Sequence, residues 1–189
     1  KIHRLADCKT YKPWQALEVG SFKITAFLMD HSGFGACSLL IEVGGKSIFY
    51  TGDFRLHGRK PQTLDYLRGK VQQPDVMLME GTTLDSNHPA TFPDEVAVEN
   101  AMVDEFKQAG PVFVVGSGSN IDRLVSLYRA CKRTNRVLVI DLYQAYLLSQ
   151  LKEFAPGLPP HKNDHLKVRY VGSQNQALKQ AKGVEALYT

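Results

Sequence analysis

Gly45–Lys60, GKSIFYTGDFRLHGRK, decides how the rest of this sequence is read. Ser47-Ile48-Phe49-Tyr50 is an apolar run of strand length that stops at Thr51-Gly52-Asp53, where glycine frees the backbone and a carboxylate is presented. Two other runs stop in the same way. Phe22–Met29 runs into Asp30-His31, and Val76–Met79 runs into Glu80-Gly81. If these strands share a sheet and a direction, His31, Asp53 and Glu80 meet at one edge, where sheets of this class carry their sites. An imidazole and a carboxylate there suit zinc or a similar ion, with the second carboxylate as orienter. A single polar strand end is only where a chain meets water; three in order carry the site reading.

Upstream, Cys37–Val43 reads as a strand joined to Lys46–Tyr50 through Gly44-Gly45, a pair that suits a two-residue hairpin because both positions can take positive φ. His31 and Asp53 then flank one hairpin. Residues 1–21 read as an irregular polar connection broken by Pro13 and Gly20, with His3 a solvated residue. Downstream, Arg55, His57, Arg59 and Lys60 crowd one loop. Beside a metal they would hold a phosphate, since guanidinium groups bind its oxygens in pairs. A solvated basic loop is the other reading, and both stay open. Residues 62–73 suggest a short helix containing Leu64, Leu67 and Val71, and His88 falls in a polar loop.

The second half changes character. Asp94–Gln108 reads as an amphipathic helix capped near Asp94. Val112–Val115 as strand, Gly116-Ser117-Gly118-Ser119-Asn120 as loop, a helix to about Arg133 and Val137–Asp141 as strand make one α/β unit. Its continuous apolar strands predict a parallel sheet buried on both faces. Ile121, Leu124, Val125, Tyr128 and Cys131 mark the buried stripe of the helix, while Arg129, Lys132 and Arg133 lie near its C-terminus, where the dipole favours them. Helices over 142–154 and 174–182 and a strand from Leu166 complete the pattern. The Gly116–Asn120 loop offers N–H groups to a phosphate. With Asp141 it also resembles a dinucleotide fingerprint, but Ile121 stands where the third glycine belongs, so no nicotinamide cofactor is expected. His161 and His165 are spaced like helical metal ligands, but the residues between them lack the glutamate of that motif, so a loop is expected.

With 189 residues and 43% hydrophobic content the chain can build a real core. A net charge of +4 permits a polyanionic partner without demanding one. Cys8, Cys37 and Cys131 are odd in number and widely spaced, which excludes a disulfide framework and a Cys-x-x-Cys knuckle and points to a reducing cytoplasm. No run approaches the roughly 18 apolar residues that span a membrane. A homo-oligomer is allowed.

Taken together, Asp30-His31-Ser32, Phe49-Tyr50-Thr51-Gly52-Asp53-Phe54-Arg55 and His57-Gly58-Arg59-Lys60 resemble the second half of a metallo-β-lactamase-fold hydrolase. Glu80-Gly81-Thr82-Thr83 and Ser119-Asn120-Ile121-Asp122-Arg123 are similar to its β-CASP branch, which includes ribonuclease J. The resemblance covers most of residues 22–145. It implies an α/β chain: part of an αββα sandwich over 1–93, followed by a parallel-sheet β-CASP-like domain over 94–189. It also implies that His31 and Asp53 are ligands of a two-zinc centre and that Glu80 supports that centre from behind. Ser117, Ser119, Asn120 and Arg123 would help hold a single strand of RNA or DNA. The implied reaction is phosphodiester hydrolysis by metal-activated water. The family's His-x-His-x-Asp-His run has no counterpart here, so the expectation is an internal piece of a longer protein, binding zinc weakly and silent by itself. A small-molecule hydrolase on the same fold and a non-catalytic nucleic-acid-binding or assembly subunit are the competing readings.

Overall fold

The computed structural model describes residues 10–82, 91–161, 163–169 and 185–187. The helix expected over 174–182, His3, Cys8 and His88 lie outside them. It is a mixed α/β structure in which seven strands and four α-helices are described, divided into two compact units. One unit takes Lys1–His31 and Gly35–Ala90; the other takes Ser32–Phe34 and Thr91–Thr189.

The first unit is a five-stranded sheet in sequence order: β1 Ala16–Val19, β2 Phe22–Leu28, β3 Cys37–Val43, β4 Lys46–Tyr50 and β5 Val76–Leu78. The first three pairings are antiparallel and β4–β5 is parallel, so β2, β4 and β5 run the same way, as expected from their endings. Gly44 and Gly45 take φ of 56° and 74° between the paired Val43 and Lys46, so the hairpin is the one their dipeptide predicts. Strand β1 corrects the reading of residues 1–21 as irregular throughout. Gly20, at φ 61°, turns the chain between the paired Val19 and Phe22, so this glycine makes a hairpin and does not merely break a strand.

Helix α1, Gln62–Arg68, covers one face of the sheet. Leu67 packs with Phe27, Met29 and Phe49, and Leu64, Val71 and Trp14 close the cluster's margin. The register puts a different set on the opposite face. Leu17, Ile24, Ile41, Ile48 and Val76 form one row across all five strands, and Ala26, Leu39, Tyr50 and Leu78 form the next. That face is apolar along its whole width, yet Tyr50, Val76 and Leu78 are 45%, 47% and 51% exposed.

In the second unit α2, Glu95–Phe106, and α3, Ile121–Arg133, pack together through Val103, Phe106, Ala130 and Cys131. Asp94 caps α2, accepting the Ala97 N–H at 2.7 Å. The guanidinium of Arg136 donates to the carbonyls of Phe106, Gln108 and Gly110, and so closes the helix's other end. Strands β6, Leu138–Asp141, and β7, Leu166–Arg169, pair in parallel, and α4, Leu142–Leu151, covers them with Leu142, Ala145 and Leu148. Asp141 is the cap of α4 in a capping box with Gln144. Val112–Val115 is not a strand. The segment forms no ladder, Phe113 and Val115 are 90% and 97% exposed, and a cavity of about 490 Å³ opens among its residues, β6 and α3.

Candidate active site

The edge where β2, β4 and β5 end is built by backbone turns that two carboxylates hold. Thr51 extends the β4–β5 pairing by one step, its N–H donating to the Leu78 carbonyl at 2.9 Å. Gly52 follows at φ 58°, and a Cβ there would come within 2.7 Å of the Cys37 carbonyl oxygen. Both the dihedral and the close approach demand glycine. The chain is thereby turned so that Asp53 is exposed, and among the described residues no hydrogen bond or ion pair engages its carboxylate.

Glu80, at the end of β5, reaches back to this loop. Its Oε1 accepts the Phe54 N–H at 2.8 Å, its Oε2 accepts the Thr82 hydroxyl at 2.7 Å, and its own N–H donates to Thr51 Oγ1 at 3.2 Å. The Phe54 N–H first, then the Thr82 hydroxyl, hold the Glu80 carboxyl below its usual pKa, with a smaller contribution from the charge of His31. Glu80 is therefore an ionised brace for the residue after Asp53.

His31 is half-buried, and the Lys60 ammonium donates to its carbonyl at 3.1 Å. Arg55, Arg59 and Lys60 are half-buried and His57 is exposed, so the basic loop is pinned to the edge and is not simply solvated. The anchor is Asp30, which sequence reasoning passes over in favour of its neighbour His31. The Asp30 side chain is 1% exposed, its Oδ2 accepts the Gly58 N–H at 2.7 Å, and its carbonyl accepts the Arg55 N–H at 2.7 Å. The signal that could have found it is Gly58, a glycine without turn chemistry a few residues beyond a presented carboxylate.

The donor types at this edge suit zinc, but their number does not close a site. Among the described residues no group of three or more His, Cys, Asp or Glu side chains is placed to hold a metal ion. His31 and Asp53 are fewer donors than the three of an open zinc site.

The second unit carries the other nominated residues. Ser117 and Ser119 are exposed, with their hydroxyls 3.0 Å apart. The Asn120 side chain caps α3 by accepting the Arg123 N–H at 3.0 Å. The Arg123 guanidinium is engaged with the buried Glu95, Nε at 3.1 Å from one oxygen and Nη2 at 3.0 Å from the other, and the Ser126 hydroxyl adds a bond of 2.7 Å to Glu95. Arg123 thus locks α2 to α3. His165 Nδ1 lies 3.2 Å from the Arg136 carbonyl, and its N–H donates to Asn163, as befits a loop residue. No helix among the described residues is long and apolar enough to cross a membrane.

No family model matches this sequence. Endoribonuclease YSH1 of Mycosarcoma maydis is 26% identical over 168 residues, which are 80% of this chain and 17% of that protein. Endoribonuclease ysh1 of Schizosaccharomyces pombe is 25% identical over 116 residues, 59% of this chain and 15% of that protein. The crystal structure of a protein of unknown function from Enterococcus faecalis V583 matches with a TM-score of 0.69 and 19% identity, over 96% of this chain and 42% of that one. The chain shares its fold with the last and is distantly similar in sequence to the two endoribonucleases, spanning under a fifth of their length.

Proposed function

We propose that this chain is part of a metal-dependent nuclease of the β-CASP branch of the metallo-β-lactamase fold, acting on single-stranded RNA or DNA. The observation that carries the reading is the shared edge: three strands of one direction end in His31, Asp53 and Glu80, and Glu80 braces the loop that presents Asp53. Distant similarity to two endoribonucleases supports the substrate class.

In this reading His31 and Asp53 supply two ligands, and the described residues gather no third beside them. A zinc ion held with the help of His31 and Asp53 would supply an activated water and charge neutralisation for phosphodiester hydrolysis. The chain's own residues prepare the ground. Glu80 takes the Phe54 N–H and leaves Asp53 facing outward; Lys60 holds the His31 carbonyl; Arg55 is turned toward the buried Asp30, which leaves the exposed His57 and half-buried Arg59 as the loop's surface for a phosphate. Ser117 and Ser119 offer hydroxyls to a strand, while Asn120 and Arg123 act indirectly by fixing the start of α3. The open apolar sheet face takes a second sheet, completing the αββα sandwich, because two packed layers are what an apolar sheet face requires.

Metal analysis of the full-length protein beside its Asp53→Ala variant tests the reading. We expect stoichiometric zinc and cleavage of single-stranded RNA in the parent, both lost in the variant, and no cleavage by residues 1–189 alone. A full-length protein that binds RNA with steep salt dependence but holds no metal would make it an assembly subunit instead.

A further inference from the structure

The first unit carries a recess that the proposed site does not use. Trp14, Phe27 and Tyr66 line it with Gln62, Thr63 and Lys70, around about 530 Å³. That volume is within the roughly 300–1,000 Å³ of small-molecule sites. Its aromatic rings are set edge to face: Trp14 lies 5.5 Å from Phe27 at 74° and 5.0 Å from Tyr66 at 75°, centroid to centroid. Such contacts do not stack the rings on one another, and Tyr66 is 62% exposed, so flat aromatic surface stays open to a ligand. Trp14 stands there on a left-handed backbone, φ 69°, which is unfavourable for so bulky a residue, and its N–H donates to the Ala26 carbonyl at 2.7 Å. Backbone strain of this kind concentrates where a side chain is held ready for a ligand.

The polar residues select the ligand. Gln62 and Lys70 are exposed, and among the described residues no hydrogen bond or ion pair engages the amide or the ammonium. An amide offers a donor and an acceptor side by side, as the edge of a base requires. An ammonium beside the rings disfavours a cationic guest and suits a phosphate. The Thr63 N–H and hydroxyl both donate to the Lys60 carbonyl, at 3.1 Å and 2.7 Å, so the recess begins where the loop carrying His57, Arg59 and Lys60 ends. A strand with a phosphate on that loop has its neighbouring bases beside the rings.

We propose that this recess is a stacking site for one unpaired base of a single-stranded RNA, with Lys70 on the adjoining phosphate. The inference rests on the nucleic-acid substrate proposed above and not on a metal. Every base has a flat face, so the site adds affinity and sets the path of the strand with little regard to sequence.

The test uses the full-length protein in the Asp53→Ala background, which keeps the strand whole. A short single-stranded RNA carrying 5-iodouridine is cross-linked by light and mapped by mass spectrometry, and affinity is read by fluorescence anisotropy over a range of salt. We expect the cross-link at Trp14 or Tyr66. Tyr66→Ala should bind about 5- to 10-fold more weakly, the low end for one stacked base because Trp14 remains, and Tyr66→Phe, which keeps the ring, should bind as the parent does. Lys70→Gln should reduce the logarithmic salt slope by about 0.7, the share of one phosphate on a single strand. Cross-links that fall only elsewhere, with Tyr66→Ala binding as tightly as the parent, overturn the inference and leave the nuclease reading standing. No affinity for the strand removes both. If the strand is cut in the Asp53→Ala background, the metal-site reading fails and the cross-link still decides this inference. Should Tyr66→Ala not fold, the cross-link in the protein that keeps Tyr66 and the Lys70→Gln slope decide in the same sense.

Discussion

Each unit of this molecule buries a carboxylate against an arginine, and the two pairs are finished differently. Glu95 is 2% exposed and has both oxygens engaged, by the forked Arg123 and by Ser126. Asp30 is as deeply buried, but its arginine stands off at 3.8 Å and one oxygen goes without a hydrogen bond among the described residues. The first pair joins two helices. The second organises a loop beside three polar strand ends. A buried ion pair is weak evidence for stability by itself; what it leaves unsatisfied says more about its purpose.

The contrast can be broken most severely at Glu95. Truncation to alanine leaves Arg123 and Ser126 facing a buried void, and we expect about 3 kcal/mol of lost stability in urea unfolding, the low end for breaking a buried pair because Arg123 is partly exposed. Arg123→Lys keeps the charge and loses the fork, and about 1–2 kcal/mol should go with it; a loss of RNA affinity without loss of stability would instead make Arg123 a direct contact. Asp94→Ala removes only the cap next to Glu95 and should cost about 1 kcal/mol, separating the helix start from the lock that follows it.

The smallest effect lies at the exposed counterpart of these pairs. Lys46 first, and then the Ser47 N–H and hydroxyl, lower the Asp75 carboxyl to about 2. A depressed acid contributes stability above its unfolded pKa, so the contribution is present above the usual carboxylate range and is lost as pH falls toward 2. Side-chain NMR titration of Asp75 should show that value, and Lys46→Ala should move it upward. At neutral pH that variant should unfold almost as the parent does, since exposed pairs contribute little.

Local chemistry is legible in the sequence. The Gly44-Gly45 turn, the Asp94 cap and the α3 stripe each follow from residues adjacent in sequence, and each is found. What sequence does not supply is the partner across a gap. Arg123 resembles a nucleic-acid contact until its lock, Glu95, is seen 28 positions away on another helix. Asp30 is overshadowed by His31, since nothing local reveals that a carboxylate will turn inward toward Gly58. Val112–Val115 has strand composition, but composition describes a side chain's preference and not whether a neighbouring backbone is there to pair with it. Gly20 misleads in the opposite sense: one residue serves a hairpin where a break is expected, because the strand before it is only four residues long.

The row from Leu17 to Val76 has a practical consequence for anyone handling residues 1–189 alone. Leu17, Ile48 and Val76 in it are exposed, and apolar surface of that kind finds other copies of itself; the β5 rim, which among the described residues pairs on one side only, is open to the same neighbours. Shelf life will then depend on protein concentration and detergent more than on temperature, and turbidity will set in before any melting transition is seen.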